Sequence, residues 1–178
     1  MLAHHCAPSL LGIKPANLIS ISKGSYNVHQ KIDFFNRKAA GKGLKIRILC
    51  ECPRRVLVLI YNITLMKKQL SEPDRMKLME EYGYNPASSV DEILTVLAEK
   101  IVGGADFPHE IGIFLGYPVH DINGFVNNSS DVKFTGYWKV YADEERAKKL
   151  FESYTKCKSY LCTKLIEGAD IYEALKIS

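Results

Sequence analysis

The sequence predicts an α+β fold: a small, mainly antiparallel sheet of about four strands, covered by several helices. Three observations carry this. Two strand-like segments follow one another across a tight turn between residues 44 and 61, and a further alternating segment comes only at 134–141. Between them, apolar residues recur at the 3.6-residue spacing of amphipathic helices. With 178 residues, 47% hydrophobic and 25% charged, the chain is long enough for one sizeable core. No repeat, linker or low-complexity tract divides it, so residues 1–178 are read as a single domain.

The elements follow in order. Pro8 suits a first helical position, so a short helix SLLGI (9–13) should open the chain and end before Pro15, leaving Cys6 at its N-terminus. NLISI (17–21) alternates weakly after Pro15 and reads as a strand. Ser25 caps a helix whose Val28, Ile32, Phe35 and Ala39 fall on one face, and which ends at Gly41 or Gly43. From Leu44 the period becomes two, with Leu44, Ile46, Ile48 and Cys50 on one face and Lys45 and Arg47 on the other. After a turn at Pro53-Arg54-Arg55, VLVLIY (56–61) is an unbroken apolar run, as expected of a central strand buried on both faces.

Helical material at 64–82 breaks near Pro73. Ser89 and Glu92 have capping-box spacing, and Val90, Ile93, Leu94, Leu97 and Ile101 make a stripe ahead of Gly103-Gly104. In FPHEIGIFLGYP (107–118), Pro108 fits a first turn, His109 to Leu115 make two helical turns, and Gly116 ends them. Gly112 inside that helix costs about 1 kcal/mol relative to Ala unless a neighbour packs close against it. Asp121 is expected to cap a short helix through Val126, and NNSSD (127–131) to form a polar loop. FTGYWKVY (134–141) reads as one strand with Phe134, Trp138 and Val140 on one face. Asp143 then caps the last long helix, whose Ala147, Leu150, Phe151, Tyr154, Leu161 and Leu165 form a stripe up to Gly168, and a short helix follows Asp170.

Several function classes drop out. No apolar run approaches the roughly 20 residues needed to span a bilayer. The first fifteen residues carry neither a basic leader nor a long apolar stretch, so the expected location is the cytoplasm. Five cysteines, an odd number, point to free thiols rather than a disulfide framework. A net charge of +4 with interspersed signs gives little reason to expect nucleic acid. There is no GxxxxGK[ST], no GxGxxG after a strand and no GxSxG; His109-Glu110 starts an HExxH pattern, but Ile113 stands where the second histidine belongs. Cys157 and Cys162 sit about 140° apart around a helix and cannot share an ion. Cys50 and Cys52 share a strand face but have no second pair to complete a metal site, so core filling is the simpler reading.

Two places remain for chemistry. A thiol at a helix N-terminus, flanked by His4 and His5, has the setting of a nucleophile or a metal ligand, against which stands a frayed terminus with nothing to bind. His109 and Glu110 in a first helical turn would lie near backbone N–H groups; the plainer alternative is a buried corner whose polar groups satisfy the backbone.

HCAPSLLGIKPANL (5–18), FPHEIGIFLGYPVHDINGF (107–125) and GYWKVYAD followed by a helix with YTKC (136–157) resemble a family of uncharacterised proteins from anaerobic Gram-positive bacteria, a domain of unknown function with PHE and LGYP motifs. The resemblance spans nearly the whole chain. It implies no activity, and it places the PHE motif at Pro108-His109-Glu110 and the LGYP motif at Leu115-Gly116-Tyr117-Pro118.

Three functions are therefore compared. The first is a non-catalytic binding or interaction module in which the motifs stabilise a corner and present Tyr117, Tyr137 and Trp138 to a partner or cofactor. A second is a cysteine-centred enzyme with Cys6 as nucleophile, His109 as base and Glu110 or Asp121 orienting it. The third is a metal or cofactor protein drawing ligands from His5, Cys6, His109, Glu110 and His120. The enzyme needs Cys6 and His109 to meet, and a pocket shared by the Cys6 segment and the His109-Glu110 turn would favour the metal reading as well. Partner and cofactor identity stay open among a small molecule, a metal and a protein; the module is the reading carried forward.

Overall fold

In the computed structural model, which describes residues 2–24 and 27–177, three strands form an antiparallel sheet in the order β1 (Ala16–Ser22), β3 (Arg55–Asn62), β2 (Leu44–Glu51). β3 is central because every other residue of VLVLIY faces a different core. Val56, Val58 and Ile60 point to one side with Ile21, Leu44 and Ile46, while Leu59 and Tyr61 point to the other with Ala16. Val56, Val58, Leu59 and Ile60 are fully enclosed, and each contributes about 1.5–3 kcal/mol from burial. The continuous apolar run therefore marks a doubly covered strand, as the sequence predicts.

The first face is covered by α1 (Leu2–Leu10), α2 (Val28–Ala39), the C-terminal part of α8 (Glu144–Ile166) and α9 (Ile171–Ala174). The second face carries α3 (Ile63–Leu70), α4 (Pro73–Glu81), α5 (Val90–Gly103), α6 (Ile111–Leu115) and α7 (Val119–Val126). A smaller aromatic cluster joins a hairpin, β4 (Phe134–Thr135) and β5 (Lys139–Val140), to the N-terminal half of α8. The four buried positions of α2 are Val28, Ile32, Phe35 and Ala39, the predicted stripe. The capping box of α5 is formed in both directions, with Glu92 N–H donating to Ser89 Oγ at 3.3 Å and Ser89 N–H to Glu92 Oε2 at 2.7 Å.

Four expectations are corrected. α1 starts at Leu2 rather than after Pro8, because Ala3, Cys6, Ala7 and Leu10 form an apolar stripe that continues through the proline. Pro8 only deprives the carbonyl of exposed His4 of a helical partner. Ser25 lies outside the described residues; the cap of α2 is Asn27, whose Oδ1 accepts from Gln30 N–H at 3.1 Å. Leu49 is an extra residue in β2: Ile48 opposes Val58 and Cys50 opposes Leu57, so Cys50 leaves the face it was expected to share with Ile48, and Leu49 is buried in the second core instead. Finally, FTGYWKVY is not one strand of the main sheet. It folds back on itself, Gly136 N–H bonding Trp138 O at 3.0 Å, and Gly136 is required there because the ring of Phe151 occupies the space of a Cβ.

Candidate functional site

The PHE and LGYP segments form one corner. α6 begins two residues later than the sequence suggests: His109 and Glu110 lie in a tight turn in which Ile111 N–H bonds Pro108 O at 3.2 Å and Ile113 N–H bonds Glu110 O at 2.9 Å. Gly116 ends the helix with φ +81°, and a Cβ there would meet Pro15 at 2.8 Å. The close neighbour that justifies Gly112 is present, since a Cβ at that position would lie 2.9 Å from Ile122 Cγ1 and 3.1 Å from Tyr117 Cδ2. Two side chains from elsewhere hold the corner's backbone: the Gln69 amide donates to Ile113 O, and Arg75 Nη1 donates to Tyr117 O at 2.8 Å.

The two carboxylates predicted to orient His109 are occupied otherwise. Glu110 is 4% exposed and accepts from Tyr84 Oη at 3.1 Å and from Lys100 Nζ at 3.2 Å. Burial, reinforced by the neighbouring Glu110 carboxylate, pushes the Tyr84 phenol far above its ordinary pKa, so it stays a donor. Asp121, 2% exposed, does not cap its own helix, which starts at Val119 with Pro118 at the cap position. It reaches across to the hairpin, accepting from Trp138 Nε1 at 2.7 Å, Tyr141 N at 2.8 Å and Ala142 N at 3.3 Å, with His120 Nε2 3.4 Å away. Both acids thus hold backbone and side chains in place.

His109 opens onto a cleft of about 340 Å³ between the corner and the hairpin. Tyr117 and Trp138 line it as a stacked pair, ring centres 4.7 Å apart. Around it stand three exposed aromatic residues: Phe107 at 43%, Phe125 at 40% and Tyr137 at 41%. The His109 ring meets Phe125 edge-on at 5.1 Å, and Lys139 Nζ sits 5.5 Å from the centre of the same ring. Of the aromatics expected to face a partner, Tyr137 is exposed and Tyr117 half-buried. Trp138 is buried, its ring packed between Tyr117 and Phe151. Phe107, Phe125 and Lys139 were not singled out by sequence reasoning; aromatic residues flanking the PHE motif were the available signal.

Cys6 is elsewhere. It is completely enclosed in the first core among α1 and α8 residues, does not line the cleft, and is in mid-helix rather than at a helix N-terminus. Burial pushes its thiol up to about 12, the opposite of the depressed value that a helix terminus would supply. His5 is exposed on the outer face of α1, edge-on to His4 at 4.6 Å. The structure therefore gathers His109, Tyr117, Asp121 and Trp138 around one cleft and leaves His5 and Cys6 out of it, while Glu110 turns inward to Tyr84. Cys52 is exposed beyond the end of β2, and Cys157 and Cys162 pack against the first core. Among the described residues, no group of three His, Cys, Asp or Glu side chains is placed to hold a metal ion.

No curated protein and no solved structure matches this chain. A family match covers residues 2–175, and by it the chain belongs to the family of proteins of unknown function DUF3793.

Proposed function

We propose that this protein is a non-catalytic binding module, one domain working in a bacterial cytoplasm with its cysteines as thiols, and that its contact surface is the aromatic cleft beside His109. The observation that carries the reading is the trio Phe107, Phe125 and Tyr137, each about two-fifths exposed, around a cleft lined by the Tyr117–Trp138 stack. Exposed aromatic rings grouped around a concavity favour a flat apolar group, which stacks without needing a polar partner. Lys139 adds a cation at the edge, so the fitting ligand combines a planar ring with a negative charge. The PHE and LGYP motifs serve as the frame: their buried polar groups fix the walls, and His109, Leu115 and Tyr117 line the cleft. Among the described residues, no helix is long and apolar enough to cross a membrane.

Titration with anilinonaphthalene sulfonate, a planar aromatic anion, tests the assignment. Saturable binding at one site should alter Trp138 emission, and Phe125→Ala or Tyr137→Ala should each weaken it by about five-fold or more, the effect of removing a 1 kcal/mol anchor. A larger apolar groove of about 560 Å³ between α2 and α9, lined in part by Phe34 and Tyr172, is the competing site. Weakening by Phe34→Ala with no effect of the cleft substitutions would overturn the proposal.

A further inference from the structure

The two outer edges of the sheet are finished differently. In an antiparallel pair, residues alternate between bonding the neighbouring strand and turning their N–H and C=O groups away from it. Asn62 N–H bonds Pro15 O at 2.9 Å and Lys23 N–H bonds Arg54 O at 2.8 Å, so the odd-numbered residues of β1 face β3. Leu18 and Ser20 therefore turn their backbone groups outward. On β2, where Ile63 N–H bonds Gly43 O at 2.8 Å, the same alternation turns Ile46 outward. That edge is closed: Asn36 Oδ1 accepts from Ile46 N–H at 2.7 Å, and Asn36 Nδ2 donates to Ile46 O at 2.9 Å. Lys45 and Arg47 flank the tie, and the bulge at Leu49 follows it, all devices that keep a foreign strand off an edge. β1 has none of them. Its sequence, ANLISIS, holds no charge and no proline, and it pairs with β3 without a bulge. Among the described residues, the outward N–H and C=O groups of Leu18 and Ser20 have no partner. Ser20 is exposed and Leu18 lines the aromatic cleft, so the open edge runs into the cleft.

We infer that the partner of the cleft is an extended, acidic segment of another protein, which adds to β1 as a further strand and places an aromatic side chain among Phe107, Phe125 and Tyr137. The inference rests on the cleft being the contact surface and names what enters it. Leu18 and Ser20 present donors and acceptors at the two-residue repeat of a strand, a pattern matched by another extended backbone. A flat small molecule would use the rings and leave these groups to water. A second copy of this chain can pair along the same edge, but β1 carries no ring, so self-pairing would leave the cleft unfilled. Charge narrows the partner further. Lys139 stands exposed beside the cleft, and exposed Arg55 donates from Nε to Ser20 Oγ at 2.8 Å farther along the edge. Asp121 is the one carboxylate among the residues described as lining the cleft, and both its oxygens are engaged by Trp138, Tyr141 and Ala142. The cationic ends of the edge are thus left for carboxylates of the incoming segment.

The test sets two probes against the full chain: anilinonaphthalene sulfonate, which needs only the rings, and the peptide acetyl-DVFVDT-amide, which needs the edge as well. Calorimetric titration should show the peptide binding at one site, and the amide hydrogens of Leu18 and Ser20 should gain protection from exchange when it is bound. Ser20→Pro removes an outward N–H while keeping every bond to β3, and should weaken the peptide by about ten-fold or more. Ser20→Ala gives up only the Arg55 contact and should stay within about two-fold, and neither substitution should move the dye. Methylating alternate peptide nitrogens, one set at a time, should abolish binding for one set and leave the other within about three-fold, because only one set faces β1. These peptides act on the wild type, so they decide the matter even if Ser20→Pro does not fold. A dye that ignores Phe125→Ala defeats the cleft reading itself. With the dye obeying that substitution, the strand-addition inference alone is overturned by a peptide that fails to bind at about 1 mM, tolerates methylation of both sets, or binds folded Ser20→Pro unchanged. Protection of Leu18 and Ser20 without peptide, rising with protein concentration alongside a sedimenting dimer, would assign the edge to a second copy and overturn it too.

Discussion

Replacing Asp121 with Asn changes almost no volume and tests whether this carboxylate is the tie between α7 and the hairpin. The native carboxylate accepts three hydrogen bonds: from Trp138 Nε1 on Oδ2, and from Tyr141 and Ala142 N–H on Oδ1. Bonds to a charged acceptor contribute about 1.5–3 kcal/mol each. An amide can keep its oxygen on the two backbone donors, but its NH₂ then confronts the indole N–H, donor against donor, at a site that is 2% exposed. One charged bond is lost and a buried donor is left unsatisfied, for a total of about 2–4 kcal/mol. Asp121→Ala removes all three and should cost about 3–5 kcal/mol. Trp138 is the chain's single tryptophan, so its emission reports on this very contact. Urea unfolding followed by that emission and by circular dichroism should show the midpoint fall with an unchanged slope, together with an altered native spectrum. An Asn variant within about 0.5 kcal/mol of wild type, with the native emission intact, would refute the reasoning.

Other predictions concern the same corner and its neighbour. Gly116→Ala forces a side chain to φ +81° against Pro15 and should destabilise by about 1–3 kcal/mol in thermal unfolding; Gly112→Ala, which gains helix propensity but meets Ile122 and Tyr117, should lose about 1 kcal/mol net. Glu110→Ala leaves Tyr84 without its acceptor and Lys100 with the Tyr82 carbonyl alone, and should cost about 3 kcal/mol, whereas His109→Ala, which removes an edge contact with Phe125, should stay within about 1 kcal/mol of wild type; equal losses would contradict the split between frame and surface. Lys14 is 3% exposed and burial lowers its amine, so Lys14→Met should stabilise the protein near neutral pH. The folded amine titrates near 8 and the unfolded one at 10.5, so below pH 8 the wild type bears the full cost, about 3 kcal/mol. As pH rises from 8 toward 10.5 the unfolded chain still binds the proton that the fold has released, and the wild type gains on the variant. Comparing the two proteins at each pH cancels the opposing contributions of the buried phenols of Tyr61, Tyr84 and Tyr154, all raised by burial; the Cys6 thiol, which feels the Lys14 charge, rises further in the variant.

What the sequence conveyed best was periodic and local. The two-sided burial of β3, the α2 stripe and the Ser89–Glu92 box each depend on residues within a turn or two, where spacing alone decides the geometry. Pro8 reads locally as a helix start, whereas the stripe Ala3, Cys6, Ala7, Leu10 that carries α1 through it gains its weight only from the core it packs against. The extra residue at Leu49 and the fold-back at Gly136 depend on partners far along the chain, a bulge opposite Val58 and a ring from α8. The same holds for the site. His109 and Tyr117 were recognisable from their motifs, yet the engagement of Asp121 with Trp138 and of Glu110 with Tyr84 spans 17 and 26 residues and leaves no local trace. The burial of Lys14 had no signal at all, since a lysine in a turn is ordinarily solvated.

Because β3 supplies side chains to both cores, neither layer of helices can detach without stripping one face of the same strand. Its backbone is bonded on both edges, to β1 and to β2. Amide hydrogens along residues 56–61 should therefore exchange only through whole-molecule opening, and at equal rates whichever layer is weakened. A substitution in the α5 layer and one in the α1 layer then draw on one shared reserve of cooperativity: either lowers the protection of the same six amides.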